Sequence, residues 1–128
     1  MRFGYTIIYV PDVEAALFFY EHVFQLKRLF LHESKQYGEL ATGSTKLAFA
    51  SEALAESNDL PFITNRNNTD KAPGIEIAFV ADDVDLAYKY ALSAGATHVK
   101  EPVEKPWGQT VAYVRDLNGV IVEICSQL

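Results

Sequence analysis

The stretch FGYTIIYVPDVEAALFFYEHVF, residues 3–24, reads as a strand and a helix joined through a proline. Residues 3–10 are rich in β-branched and aromatic side chains, and Pro11 ends that strand. Asp12 follows, where a carboxylate can accept the orphan N–H bonds of a first helical turn. Val13, Ala16, Leu17, Tyr20, Val23 and Phe24 then recur at i, i+3, i+4 and i+7 intervals, which predicts an amphipathic helix with one apolar stripe. Residues 27–31, 36–41 and 45–50 read as three shorter strands, with Gly43-Ser44 as a tight hairpin turn between the last two. The opening third of the chain is thus a β-α-β-β-β unit.

The same order begins again at Gly74. GIEIAFVADDVDLAYKYALSAGA, residues 74–96, is a strand, an Asp83 cap and a helix whose stripe is Val84, Ala87, Tyr88, Ala91 and Leu92. Gly95 is the expected C-terminal stop. Extended pieces follow at residues 98–101, 109–114 and 120–124, with Leu117-Asn118-Gly119 as a turn in which Asn-Gly supplies positive φ angles. A shift of 71 positions lays Asp12-Val13-Glu14 on Asp83-Val84-Asp85, and a shift of 76 aligns Gly43 with Gly119. An α+β protein with two helices and no internal symmetry is the alternative. Residues 1–128 are read as a single domain: module 1 over about residues 1–51, a crossover at residues 52–73, and module 2 over about residues 74–128. SEALAES at the start of the crossover can hold one helical turn, and Phe62 is its residue best able to fold back over a pocket.

Composition narrows the function classes. The 128 residues are 49% hydrophobic and 22% charged, a globular balance. A net charge of −6 and the lack of a basic stripe exclude nucleic acid as partner. No apolar run is long enough for a membrane span, and the N-terminus does not read as a secretory signal. The single cysteine, Cys125, forbids an intrachain disulfide and fits a cytoplasmic protein.

YVPDVEAALFFYEHVFQL, residues 9–26, resembles the opening strand and helix of the glyoxalase/bleomycin-resistance/dioxygenase superfamily. PWGQTVAYVRDLNGVIVEI, residues 106–124, is similar to that family's closing hairpin, with its Trp-Gly pair, Arg-Asp-x-x-Gly turn and acidic residue on the last strand. The resemblance implies an α+β fold in which two tandem βαβββ modules form a curved mixed-sheet cup, helices on the convex side. It implies a homodimer and a small-molecule ligand. It does not choose the chemistry, because lyases, dioxygenases, epimerases and resistance proteins share the fold.

Enzymes of this family hold a divalent metal (Fe, Ni, Zn or Mn) on the first and last strand of each module. Counting seven back from the capping Asp gives Tyr5 and Glu76, and counting four on from the turn glycine gives Leu47 and Glu123. Leu47 cannot ligate, and Tyr5 would have to lose a proton near pH 10. His22, His32 and His98 fall at none of these positions. The expectation is therefore no tightly bound metal, with Glu76 and Glu123 as the weak alternative ligands. As neighbours, two carboxylates would repel and one would titrate high, suiting them to proton transfer or to gripping a cation. Tyr5, Tyr9, Leu47, Phe49, Phe62 and Trp107 are the candidate ligand-binding residues, although core packing competes for any aromatic. Cys125 shares Glu123's face and reads as a small buried hydrophobe.

Three functions follow. The first is a metal-free binding protein for a small aromatic or cationic compound. The second is a lactoylglutathione-lyase-like or isomerase-like enzyme using Glu76 and Glu123, with or without a divalent metal. The third is an accessory dimer with a vestigial cup.

Overall fold

The computed structural model describes residues 1–128, which form two compact units, Met1–Thr64 and Asn65–Leu128. In the first unit β1 (Tyr5–Val10) leads to α1 (Val13–Val23), then to β2 (Arg28–Leu31), β3 (Tyr37–Leu40), β4 (Lys46–Ser51) and a short α2 (Glu52–Ser57). In the second, β5 (Glu76–Val80) leads to α3 (Val84–Ser93), β6 (Thr97–Glu104), β7 (Thr110–Arg115) and β8 (Ile121–Cys125). Each unit carries one four-stranded mixed sheet, ordered β1-β4-β3-β2 and β5-β8-β7-β6. In each, the first and last strands pair in parallel and the other pairs are antiparallel. The twice-repeated β-α-β-β-β plan is therefore present.

The helices form where the cap and stripe require. Asp12 accepts a hydrogen bond from the Ala15 N–H at 3.0 Å, and Asp83 from the Leu86 N–H at 3.0 Å. Val13, Ala16, Leu17, Tyr20 and Val23 of α1 are buried, as are Val84, Tyr88 and Ala91 of α3. Asp12→Ala and Asp83→Ala should each lower stability by about 1 kcal/mol, measured by urea denaturation; a loss under a few tenths would remove the caps from the account.

In the first unit Tyr20 packs on Phe49 with ring centroids 4.9 Å apart and on Phe24 at 5.0 Å. Gly38 lies under α1, where an added Cβ would stand 2.6 Å from the Leu17 Cδ1. The strand face carrying Gly38, Leu40, Leu47 and Phe49 is thus the helix side. In the second unit the corresponding face carries Ala112, Val114, Val122 and Ile124, all nearly inaccessible. There the Tyr88 hydroxyl meets the His98 Nδ1 at 2.6 Å.

The closing hairpin differs in detail from expectation. Only Gly119 takes a positive φ, +86°, and Asn118 does not. The turn is held instead by buried Asp116, whose Oδ1 accepts from the Asn118 and Val120 N–H groups at 2.8 and 3.0 Å. No helix is long and apolar enough to cross a membrane.

Candidate functional site

Strand residues side by side in register share a face, so pairing decides which side chains meet. In the second unit Ala78 pairs with Glu123, and Glu123 with Tyr113 across the next ladder. Glu76 pairs with Ile121, one step along the same face. Glu76, Tyr113, Glu123 and Cys125 therefore gather on the face opposite α3. Sequence counting brought Glu76 and Glu123 together; Tyr113 was not singled out, although alternation along β7 would have found it.

The cluster is acidic throughout. Contact with the sheet desolvates the Glu76 carboxyl and raises its pKa above the ordinary 4.5; hydrogen bonding to Glu123 and that residue's negative charge add to the rise. Tyr113 is raised by burial first, then by the charge and hydrogen bonding of Glu123. Burial pushes the Cys125 thiol up as well, with Glu123 second and Glu76 third. A thiol so raised stays protonated and is a poor nucleophile, and its Sγ points to the Phe79 carbonyl at 3.6 Å. Neither glutamate belongs to an ion pair.

Arg115 occupies this same face but is committed elsewhere. Its Nε donates to the Gly119 carbonyl at 2.8 Å, its Nη1 to the Thr69 carbonyl at 2.6 Å and its Nη2 to the Arg66 carbonyl at 3.4 Å. It fastens the later crossover to the second unit. Trp107 stands in the β6–β7 turn, 61% exposed, its indole N–H donating to the Gln109 Oε1 at 3.0 Å.

In the first unit the register corrects two sequence assignments. Thr6 pairs with Leu47 and Ile8 with Phe49, whereas Ile7 pairs with Ala48 and Tyr9 with Ala50. Leu47 and Phe49, expected as ligand contacts, are buried on the α1 side. The position matching Glu123 is Ala48, because Ile7 corresponds to Ala78 under the 71-residue shift. The hairpin alignment on Gly43 and Gly119 is off by one: the first turn is a residue longer beyond its glycine, and one residue reverses the face. Tyr5 and Tyr9 do lie on the face opposite α1, and Phe62 packs on Tyr9 at 5.5 Å between ring centroids. Tyr37 and Glu39, which sequence analysis passed over, share that face.

The fold has counterparts among solved structures. A glyoxalase/bleomycin resistance protein/dioxygenase family enzyme from Burkholderia phytofirmans PsJN matches with TM-score 0.81 at 24% identity, over 98% of each chain. A glyoxalase-related enzyme from Fulvimarina pelagi matches with TM-score 0.80 at 20% identity, over 99% of this chain and 88% of that one. TioX from Micromonospora sp. ML1 matches with TM-score 0.75 at 21% identity, over the full length of both. No curated protein matches the chain. The family model described as Glyoxalase/Bleomycin resistance protein/Dioxygenase superfamily matches residues 2–124, nearly the whole length, and with the repeated βαβββ plan it settles the kinship. The chain belongs to the glyoxalase/bleomycin resistance protein/dioxygenase superfamily.

Proposed function

We propose that this chain binds a small cationic or aromatic compound without a tightly bound catalytic metal. One observation carries the reading: Glu76 and Glu123 share a sheet face, close enough for the charge of one to bear on the other, and neither belongs to an ion pair. Two carboxylates so placed repel one another, and a bound cation relieves that repulsion. Exposed Trp107, in the β6–β7 turn of the same unit, offers a flat face for a planar ligand. A homodimer is part of the proposal, because β1 and β5 end their sheets and carry exposed Tyr5, Ile7 and Val80. The buried, unpaired Cys125 thiol fits a cytoplasmic location.

The donor set does not fit the metal used by enzymes of the superfamily. Tyr5 and Ala48 stand in the first unit where Glu76 and Glu123 stand in the second, and alanine offers no donor. Glu76, Glu123 and Cys125 share a face but are not arranged as a group that could hold a metal ion. A second reading, proton transfer by Glu76 as acid and Glu123 as its partner, is favoured by the raised Glu76 alone. Purified protein carrying stoichiometric Ni, Zn, Mn or Fe, or turning over the methylglyoxal–glutathione adduct, would replace the first reading by this one.

The direct test is calorimetric titration with proflavine, a planar cation, against benzoate as a planar anion. Proflavine should bind and benzoate should not. Glu123→Gln should weaken proflavine about tenfold or more, since a charge-assisted contact becomes a neutral one. Equal affinity in the variant would remove the pair from binding.

A pH signature goes with it. Glu76 titrates higher in the folded chain than its ordinary 4.5, so the native state binds more protons than the unfolded one above that pH. This contribution favours folding at low pH and is lost as pH rises from 4.5 through the raised value. Glu76→Gln should flatten that part of the stability profile and raise stability at neutral pH. An unchanged profile in thermal melts from pH 4 upward would contradict the raised Glu76.

A further inference from the structure

Of the asparagines in this chain, Asn118 alone is followed by glycine. Asparagine is a thermolabile residue, and a glycine after it favours a reaction within the chain, because a nitrogen with no Cβ beside it can close on the asparagine side chain. The Gly119 backbone nitrogen gives up its proton and attacks the Asn118 Cγ. The bond from Cγ to the side-chain nitrogen breaks, and ammonia leaves. The five-membered succinimide then takes up a water, which opens either of its carbonyls. The product is aspartate or, with the chain rerouted through the side chain, isoaspartate. Nothing is oxidised or reduced.

The fold opposes each step. Asn118 is 7% exposed, so little water reaches it. The Gly119 N–H, whose nitrogen is the nucleophile, donates to the Asp116 carbonyl at 3.1 Å. The Asn118 and Val120 N–H groups both donate to the Asp116 Oδ1, at 2.8 and 3.0 Å, which fixes the residues around the reacting bond. The crossover completes the enclosure. The space beside Gly119 is filled by the Arg66 carbonyl and the Arg115 Nη2. Arg115 is itself buried, and its guanidinium donates to the Gly119 carbonyl on one side and to the Thr69 and Arg66 carbonyls on the other. Bonds from a charged donor are stronger than those from a neutral one. One side chain thus ties the turn shut.

We infer that Asn118 is a self-modifying site of this chain, a succinimide-forming residue held unreacted by the Arg115 clamp on residues 66–69. The reaction runs from the opened turn, so its rate is that of the unfolded chain scaled by the fraction of time the turn stands open. Its consequence falls on the second sheet. Isoaspartate lengthens the backbone path between β7 and β8, so the Asn118 and Val120 N–H groups can no longer share the Asp116 Oδ1, and the ladder that sets Glu123 beside Tyr113 loses its turn. The inference stands apart from the ligand proposed above.

The test is mass-spectrometric peptide mapping of the full-length protein incubated in mildly alkaline buffer, folded and in urea. In urea Asn118 should convert faster than Asn58, Asn65, Asn67 or Asn68. In the folded protein it should convert at least about tenfold more slowly than in urea, by the factor that protects the Gly119 amide from hydrogen exchange. Folded Arg115→Met should convert about tenfold or more faster than the natural chain, since the closed turn loses bonds from a charged donor. Arg115→Lys, with a single nitrogen in place of the guanidinium fork, should fall between the two. Conversion of the folded natural chain as fast as in urea would overturn the inference, and so would a slowing unrelated to Gly119 exchange. Arg115→Met reacting at the natural rate would remove the clamp. If that variant loses its dispersed spectrum, Arg115→Lys decides, and the natural rate there rejects the clamp.

Discussion

Replacing Phe49 by alanine should cost about 3–5 kcal/mol of folding stability, as truncation of a fully buried aromatic does. Phe49 is inaccessible to solvent, and its ring packs on Tyr20, itself buried and in contact with Phe24. The lost contacts cannot be recovered by collapse, because β3 and β4 are pinned by their ladder and α1 rests on Gly38. A loss of this size lowers the melting temperature by roughly 10 °C or more in a chain of this length. The experiment also separates two roles for the residue. A ligand contact would lose affinity for proflavine at little cost in stability, whereas a core residue does the reverse. A cost below about 1 kcal/mol would return Phe49 to the ligand-facing side and undo the first-unit register that sets it against α1.

Gly119→Ala should be nearly as damaging, for a different reason. Gly119 has φ +86°, where a side chain costs about 1–2 kcal/mol. An added Cβ would also collide with the Arg66 carbonyl oxygen and with the Arg115 Nη2. Overpacking typically adds about 1–3 kcal/mol, so the expected total is about 2–5 kcal/mol. Gly43 provides the control: its φ is +94°, yet an added Cβ would meet nothing within 4 Å. Gly43→Ala should therefore cost only the conformational part, about 1–2 kcal/mol. Equal losses in the two variants, compared by urea denaturation, would show that the Arg115 clamp on residues 66–69 does not constrain this turn.

Much of the architecture was legible because its signals are local. The period of apolar residues marked α1 and α3, and Asp12 and Asp83 marked where each begins. Their hydrogen bonds to Ala15 and Leu86 confirm that capping needs only the neighbouring chain. The strands were found by composition, and the repeated order implied how many there would be. Thr97–Glu104 runs longer than the segment expected there, since its extra residues pair with β7 despite irregular register. Asp116 escaped notice because a buried carboxylate satisfied by turn N–H groups has no sequence pattern distinct from a surface one.

Residue order alone determined two βαβββ units, their capped helices, and Glu76 with Glu123 as the acidic pair on the second sheet. Which first-unit side chains face away from α1 was decided only by tertiary pairing. Leu47 and Ala48 are adjacent in the chain, but strand side chains alternate, so the partner of Ile7 rather than the count from Gly43 selects between them. Glu39, Tyr37 and Tyr113 acquired meaning in the same way. A carboxylate or phenol becomes part of a site through what stands across the ladder and how much water reaches it, and both are set by contacts between distant segments.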